Sequence, residues 1–323
     1  MPGPSPLLRS IARQVSPSYT LRRMSSIPET GAVDLLHGHR PPLRRILELE
    51  EVDTDLYLGR SYNDAALRIY GGQAVAQALI AAGRTVPPER RAHSLHGHFI
   101  HPGNPQAPVL YHVERVRDGG SFTTRSVRAT QGGVTIFLLT TSFQRPEQGF
   151  SHQARETTAP APEQLPAFED SVDSAYLADA AWLPQLRANV AVEFRFPEEY
   201  PRIANARGES RPPRQRAWVR TATALADDPL VQAAGFAYTS DLFLLSSALP
   251  PHAVTIDEPG MQLASLDHSV WLHADFRSDE WHLYEQEGLW TGGGRGLARG
   301  HLYDRDGVLV ASTMQEGLLR LRK

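Results

Sequence analysis

The hydrophobic positions of the chain form two patterns, and each pattern predicts a different element. Residues 72–82 are small or apolar except for Gln73 and Gln77, which favours a helix that ends at Gly83 before Pro87 and Pro88. A helix that is apolar on nearly every side belongs in a core. A second largely apolar run, Ser240–Leu249, stops at Pro250 and predicts a matching helix in the second half of the chain.

The other pattern consists of β-branched and aromatic runs between clusters of Gly, Pro, Asn and Asp, which predicts strands joined by turns. The first half contains four such runs, at residues 93–100, 109–117, 121–130 and 134–144. The second half contains runs at residues 216–225, 264–274, 281–287, 295–303 and 308–320. A helix followed by a meander of long strands, present twice, predicts an α+β fold built from a duplicated unit whose sheet wraps its helix.

Composition divides the chain into four segments. Residues 1–40 form a targeting or disordered segment, 41–147 the first repeat, 148–190 a Pro-rich linker or arm with a short helix at 175–186, and 191–323 the second repeat. The first segment is rich in Arg and Ser and has no acidic residue before Glu29, which is typical of a mitochondrial transit peptide. We therefore expect a mitochondrial matrix protein, with the peroxisome or the cytosol as alternatives.

Composition also excludes several classes of chemistry. The absence of cysteine excludes disulfides, cysteine nucleophiles and thiolate-bound metals, and Lys323 as the only lysine excludes a Schiff-base mechanism. A net charge of −3 gives no reason to expect nucleic acid, and no run of 18 apolar residues predicts a membrane span. No Gly-x-Ser-x-Gly sequence provides the nucleophile elbow of an α/β-hydrolase.

Six motifs identify a family resemblance over residues 43–323. They are Tyr70–Ala78, His93–His96 and Asp118–Val127 in the first half, and Tyr238–Asp241, Ser265–His273 and Asp306–Gly317 in the second. In this order the chain resembles the acyl-CoA thioesterase II family. The resemblance implies a double hotdog fold and hydrolysis of medium- or long-chain acyl-CoA to fatty acid and coenzyme A without a cofactor. We also expect the protein to form a homo-oligomer.

The resemblance also implies a catalytic group of Asp241, Ser265 and Gln315. Hydrolysis by water needs a base to take the proton of the water, and hydroxyl and amide groups can orient both without adding charge. Gly71, Gly72 and Gln73 open the first helix, where amide groups can bind the carbonyl oxygen of the substrate. Only the second half has the Asp and the Gln, so we expect Gly72 of the first half to face Asp241. Without the resemblance, Asp241 or Ser240 would be interpreted as the N-cap of the predicted second helix.

Other candidates leave alternatives open. His96 and His268 are candidate substrate-binding residues near the site, whereas the chain's histidines make no tidy ligand set and predict no metal. Arg295 and Arg299 either bind the phosphates of coenzyme A or are solvated strand charges, and Gly292–Gly294 is interpreted as a turn.

Two other functions remain as alternatives to the thioesterase. One is a hotdog hydratase that acts on an enoyl thioester. It would need an Asp–His pair, but the adjacent Asp267 and His268 point to opposite faces of a strand. The other is an acyl-thioester-binding protein without catalysis, which the presence of Asp241, Ser265 and Gln315 disfavours.

Overall fold

A computed structural model of the chain describes residues 42–62, 66–153, 157–171 and 190–322. The predicted targeting segment 1–40 and the predicted helix at 175–186 lie outside these residues. None of the helices in the described ranges has the length and apolar character that a membrane span requires.

Each half contributes a central helix and a set of long strands. The first half comprises α1 (Leu43–Leu47), β1 (Glu50–Asp53), β2 (Leu56–Gly59), α2 (Gly71–Gly83), β3 (Arg91–Phe99), β4 (Val109–Asp118), β5 (Phe122–Gln131) and β6 (Val134–Gln144). The second half comprises β7 (Val192–Arg195), α3 (Pro201–Ala206), β8 (Arg214–Thr221), α4 (Pro229–Thr239), β9 (Met261–Ser265), β10 (Asp267–Leu272), β11 (His282–Gly292), β12 (Arg295–Tyr303) and β13 (Leu309–Leu321). The predicted α+β class and the duplication are therefore confirmed.

The strands of both halves form one 13-stranded antiparallel sheet. Its order is β1-β2-β4-β5-β6-β3-β10-β13-β12-β11-β8-β7, and β9 pairs with β13. The two halves join where β3 pairs with β10, from Asp267 opposite His98 to Trp271 opposite Ser94. The single strand predicted at 264–274 is wrong. The chain forms two strands, β9 and β10, which are separated at Leu266 and pair with different parts of β13.

The two central helices pack against each other in opposite directions. A Cβ atom on Gly72 would lie 2.2 Å from the carbonyl oxygen of Tyr238, and one on Gly83 would lie 2.4 Å from Leu230. The start of α2 therefore lies at the end of α4, and glycine allows both close approaches. Nearly every residue of α2 is buried, as its largely apolar sequence predicts.

The second predicted helix is wrong in position. The helix occupies Pro229–Thr239, where Asp228 accepts a hydrogen bond from the amide of Leu230 and proline fills the first position. The apolar run after it forms a turn and a short 3₁₀ helix, Leu245–Ala248. Serine hydroxyls in this run bind carbonyl groups three residues earlier and so compete with the α-helix. The run is apolar because it is buried.

Candidate active site

Asp241 lies in the turn after α4 and contacts the start of α2. Its Oδ2 accepts a hydrogen bond of 3.0 Å from the amide of Gly72, and its Oδ1 accepts one of 2.6 Å from Nε2 of Gln315. The positive end of a helix stabilises a carboxylate at this position. The predicted approach of Gly72 to Asp241 is confirmed, but the N-cap interpretation is wrong, because α4 ends before Asp241 and begins at the Asp228 cap.

Gln315 joins the carboxylate to Ser265. It is fully buried on the inner face of β13, and its Nε2 also donates to the hydroxyl of Ser265 at 3.1 Å. A carboxylate only accepts hydrogen bonds, so the nitrogen of the amide must face Asp241. The oxygen of the Gln315 amide is buried and has no hydrogen-bond partner among the described residues. The structure thus brings together the three residues that the sequence nominates as catalytic.

The glycines at the start of α2 lie against Asp241, whereas the side chain of Gln73 does not. A Cβ atom on Gly71 would lie 2.7 Å from Oδ2 of Asp241, so this glycine lies directly against the carboxylate. The side chain of Gln73 is buried and turned away from the carboxylate. It accepts a hydrogen bond from Ser61 and donates one to the carbonyl oxygen of Arg60. Gln73 therefore fixes the preceding loop to the helix.

His268 and His96 lie on opposite faces of the sheet. His268 is fully buried on the inner face, and its Nε2 lies 2.8 Å from the hydroxyl of Ser240. Burial lowers the pKa of His268, against the opposing influence of the Asp241 and Asp267 carboxylates. His96 contacts the hydroxyl of Ser269 on the outer face, so the structure does not bring it to Asp241. Among the described residues, no cluster of His, Asp and Glu could hold a metal ion.

Arg295 and Arg299 also lie on the outer face. Ala298 pairs with Gln315 across β12 and β13 and shares its face, so the residues at odd positions of β12 point the other way. Arg299 forms an ion pair of 2.7 Å with Glu287, and Arg295 lies 3.6 Å from Glu316. The structure therefore does not bring these two arginines to the catalytic group.

Three polar residues at the site were not predicted from the sequence. They bind carbonyl groups of the turn that holds Asp241, and they are Tyr284, Gln286 and Gln215. All three lie on the inner face of their strands and are buried. These residues could have been found from the sequence as polar side chains at inward positions of strands, which is also how Gln315 was noticed.

The chain matches two family models. Residues 59–144 match the acyl-CoA thioesterase N-terminal domain, and residues 186–318 match acyl-CoA thioesterase. The chain is 41% identical over 286 residues to acyl-coenzyme A thioesterase 8 of Mus musculus, with 86% of this chain and 88% of that protein covered. It is 32% identical over 120 residues, 36% of this chain and 34% of that protein, to peroxisomal acyl-coenzyme A thioester hydrolase 1 of Saccharomyces cerevisiae.

A solved structure gives the same result for the fold. The acyl-CoA thioesterase II TesB2 of Mycobacterium marinum superposes with a TM-score of 0.70 at 36% identity, covering 87% of this chain and 99% of that chain. A protein with a hot dog fold from Alicyclobacillus acidocaldarius superposes with a TM-score of 0.69 at 19% identity, covering 86% of this chain and 98% of that chain. The double hotdog fold expected from the sequence is therefore confirmed.

Proposed function

Because the chain belongs to the acyl-CoA thioesterase II family, we propose that it hydrolyses acyl-CoA to a free fatty acid and coenzyme A by direct attack of water on the thioester. The observation that supports this mechanism is the amide of Gln315, which bridges the Asp241 carboxylate and the Ser265 hydroxyl at the positive end of α2. This group offers a base and orienting dipoles around one point, which is what the activation of a water molecule requires.

Asp241 is the general base of the proposed reaction. Its carboxylate has about four lone-pair positions, and the hydrogen bonds from Gly72 and Gln315 leave others for a water molecule. Ser265 accepts from Gln315 and keeps its own hydrogen for that water. As the oxygen of the water bonds to the carbonyl carbon, its proton passes to Asp241.

The carbonyl oxygen of the substrate becomes negative in this step and needs a donor. The amide of Gly72 is taken by Asp241, so we assign the donor role to the amide of Gly71, the other glycine against the carboxylate. The tetrahedral intermediate then collapses, the carbon–sulfur bond breaks, and the thiolate of coenzyme A takes up the proton that Asp241 received from the water, which restores the carboxylate. No covalent acyl-enzyme forms in this route.

We propose that the acyl group is of medium or long chain. The helix that binds Asp241 is apolar, since α2 consists largely of small buried residues such as Ala74 and Val75. Phe243, two residues after Asp241, packs against the aromatic rings of Phe194, Phe196 and Tyr200. An acyl chain buried among such side chains would gain about 0.8 kcal/mol for each methylene group.

One assay tests the activity against both alternatives. The protein is incubated with palmitoyl-CoA and with crotonyl-CoA, and free thiol and enoyl absorbance are followed. We expect thiol release from palmitoyl-CoA. Loss of enoyl absorbance without thiol would indicate a hydratase, although Asp267 binds the amide of Glu316 while His268 binds Ser240, so the two form no pair. No reaction with either substrate would indicate a binding protein.

For the cellular location, we propose the mitochondrial matrix, on the composition of residues 1–40 alone. One relative named as peroxisomal favours the alternative. A fusion of residues 1–40 to a fluorescent protein distinguishes the two. Import into mitochondria would support the proposal, and a cytosolic or peroxisomal reporter would contradict it.

A further inference from the structure

The turn that holds Asp241 is bound from the sheet by a set of buried side chains. We propose that this set, called here the turn clamp, positions the Asp241 carboxylate for water activation; the inference rests on the proposed function. The members of the turn clamp are Tyr284, Gln286, Gln215 and His268.

Tyr284 holds the residue before Asp241. Its hydroxyl donates to the carbonyl oxygen of Ser240 at 2.8 Å and lies 2.8 Å from the hydroxyl of Thr313. A phenol has one hydrogen, so Thr313 must be the donor in the second contact. Tyr284 is 1% exposed, and a carbonyl group left without this donor would be buried away from water.

Two glutamines hold the residues after Asp241. Nε2 of Gln286 donates to the carbonyl oxygen of Leu242 at 2.7 Å. Nε2 of Gln215 donates to the carbonyl oxygen of Phe243 at 3.0 Å and to Oε1 of Gln286 at 2.7 Å. The two amides therefore fix each other as well as the turn.

His268 completes the clamp through a side chain. The hydroxyl of Ser240 lies 3.0 Å from the carbonyl oxygen of Ala237 and 2.8 Å from Nε2 of His268. Ser240 has one hydrogen, which it donates to Ala237, so a neutral His268 with its proton on Nε2 satisfies both contacts.

The geometry of the turn explains why it needs this support. Phe243 has a φ of 64°, a left-handed conformation that costs a non-glycine residue on the order of 1 kcal/mol or more. The turn conformation is therefore not favoured by its own sequence. Because the clamp binds the carbonyl groups on both sides of Asp241, it fixes the direction of the Asp241 side chain toward Gly72 and Gln315.

Tyr284→Phe tests the clamp, since it removes one hydroxyl and keeps the ring. We expect kcat for palmitoyl-CoA to fall roughly 10- to 100-fold with KM within about twofold, because a misplaced base slows the chemical step. Tyr111→Phe is the matched control. Tyr111 is also fully buried, and its hydroxyl donates to Gln77 in the first half, away from the turn. We expect this control to lose stability and keep kcat.

Further variants separate positioning from folding. In an Asp241→Asn background, Tyr284→Phe should cause no further loss of the residual activity, because it acts through Asp241. If Tyr284→Phe does not fold, Gln286→Met breaks the clamp at Leu242 and should lower kcat in the same way. Wild-type kcat in either folded variant overturns the clamp. A wild-type protein that releases no thiol from acyl-CoA overturns the proposed function and, with it, the clamp.

Discussion

Replacing Asp241 with asparagine separates its catalytic role from its structural one. The proposed general base would lose its charge and its ability to accept a proton, while the side chain keeps its size. Proton transfer to a positioned base contributes about 10²- to 10⁴-fold to a rate. We therefore expect kcat to fall by at least ~10²-fold, which corresponds to about 2.7 kcal/mol of activation free energy.

The structure sets the accompanying loss of stability. The carboxylate of Asp241 accepts from the amide of Gly72 and from Nε2 of Gln315, and asparagine can accept only on one side. Gln315 can turn its amide to accept from the new nitrogen, but its own Nε2 then occupies a buried position that has no partner among the described residues. One buried group without a partner costs about 1–3 kcal/mol, so the free energy of unfolding should fall by that amount.

The assay combines initial rates of thiol release at saturating palmitoyl-CoA with urea unfolding at the same temperature. Asp228→Ala is the control, because Asp228 also binds an amide at a helix start, that of Leu230, but lies away from the catalytic group. Loss of this N-cap should cost about 1 kcal/mol and leave kcat unchanged. If Asp241→Asn keeps wild-type turnover, Asp241 is not the base. If a covalent acyl-enzyme is detected by mass spectrometry, the direct attack of water is wrong.

Three further predictions follow from the same contacts. Gln315→Ala and Ser265→Ala should each lower kcat less than Asp241→Asn, and the effects should not add, because the groups act on one water molecule; additive losses would contradict a shared site. Gly72→Ala should destabilise the protein by about 1–3 kcal/mol and lower kcat, since its Cβ would lie 2.2 Å from Tyr238, whereas Gly120→Ala, with no atom within 4 Å, should do neither. Burial lowers the pKa of His268 in the folded protein, so just below the ordinary value of about 6.5 the unfolded chain binds a proton that the folded protein does not. The free energy of unfolding should therefore decrease as the pH is lowered through this range, by up to ~1.4 kcal/mol per pH unit. His268→Gln should show a shallower slope between pH 5.5 and 6.5, and an unchanged slope would contradict this origin.

The sequence predicted strands better than it predicted the second helix, for a physical reason. The strands at 134–144 and 295–303 have the predicted bounds, because turn residues mark both of their ends. A leucine-rich segment such as Ser240–Leu249 has no clear periodic signal, because a buried turn can have the same composition as a buried helix. The true helix was marked instead by Asp228 and Pro229, a start signal of the kind that precedes many helices.

For the site, the motifs supplied the residue types and strand parity supplied part of the geometry. Side chains alternate between the two faces along a strand, so counting positions along β12 and β13 places Gln315 on the inner face and Arg299 on the outer face. The bond from Gly72 to Asp241 joins residues 169 positions apart, so it depends on the packing of α2 against α4. A local sequence pattern cannot predict how two distant helices pack. The hydrogen bonds from the turn clamp to the carbonyl groups of the turn also join residues far apart in the sequence, so they could not be predicted either.

Because α2 and α4 are antiparallel, the start of each helix lies beside the end of the other. Among the described residues, a carboxylate from the other half binds the start of α2 and none binds the start of α4. At the first end, the start of α2 binds Asp241 beyond the end of α4. At the second end, the start of α4 is satisfied by its own Asp228, and Leu230 packs on Gly83 where the other end has its carboxylate. On β6, which occupies in the first half the position of β13, the inward side chains are Leu139, Thr141 and Phe143. Within the described part of the chain, the second end thus has neither a carboxylate nor a buried amide in these positions, so we expect the proposed activation of water at the first end.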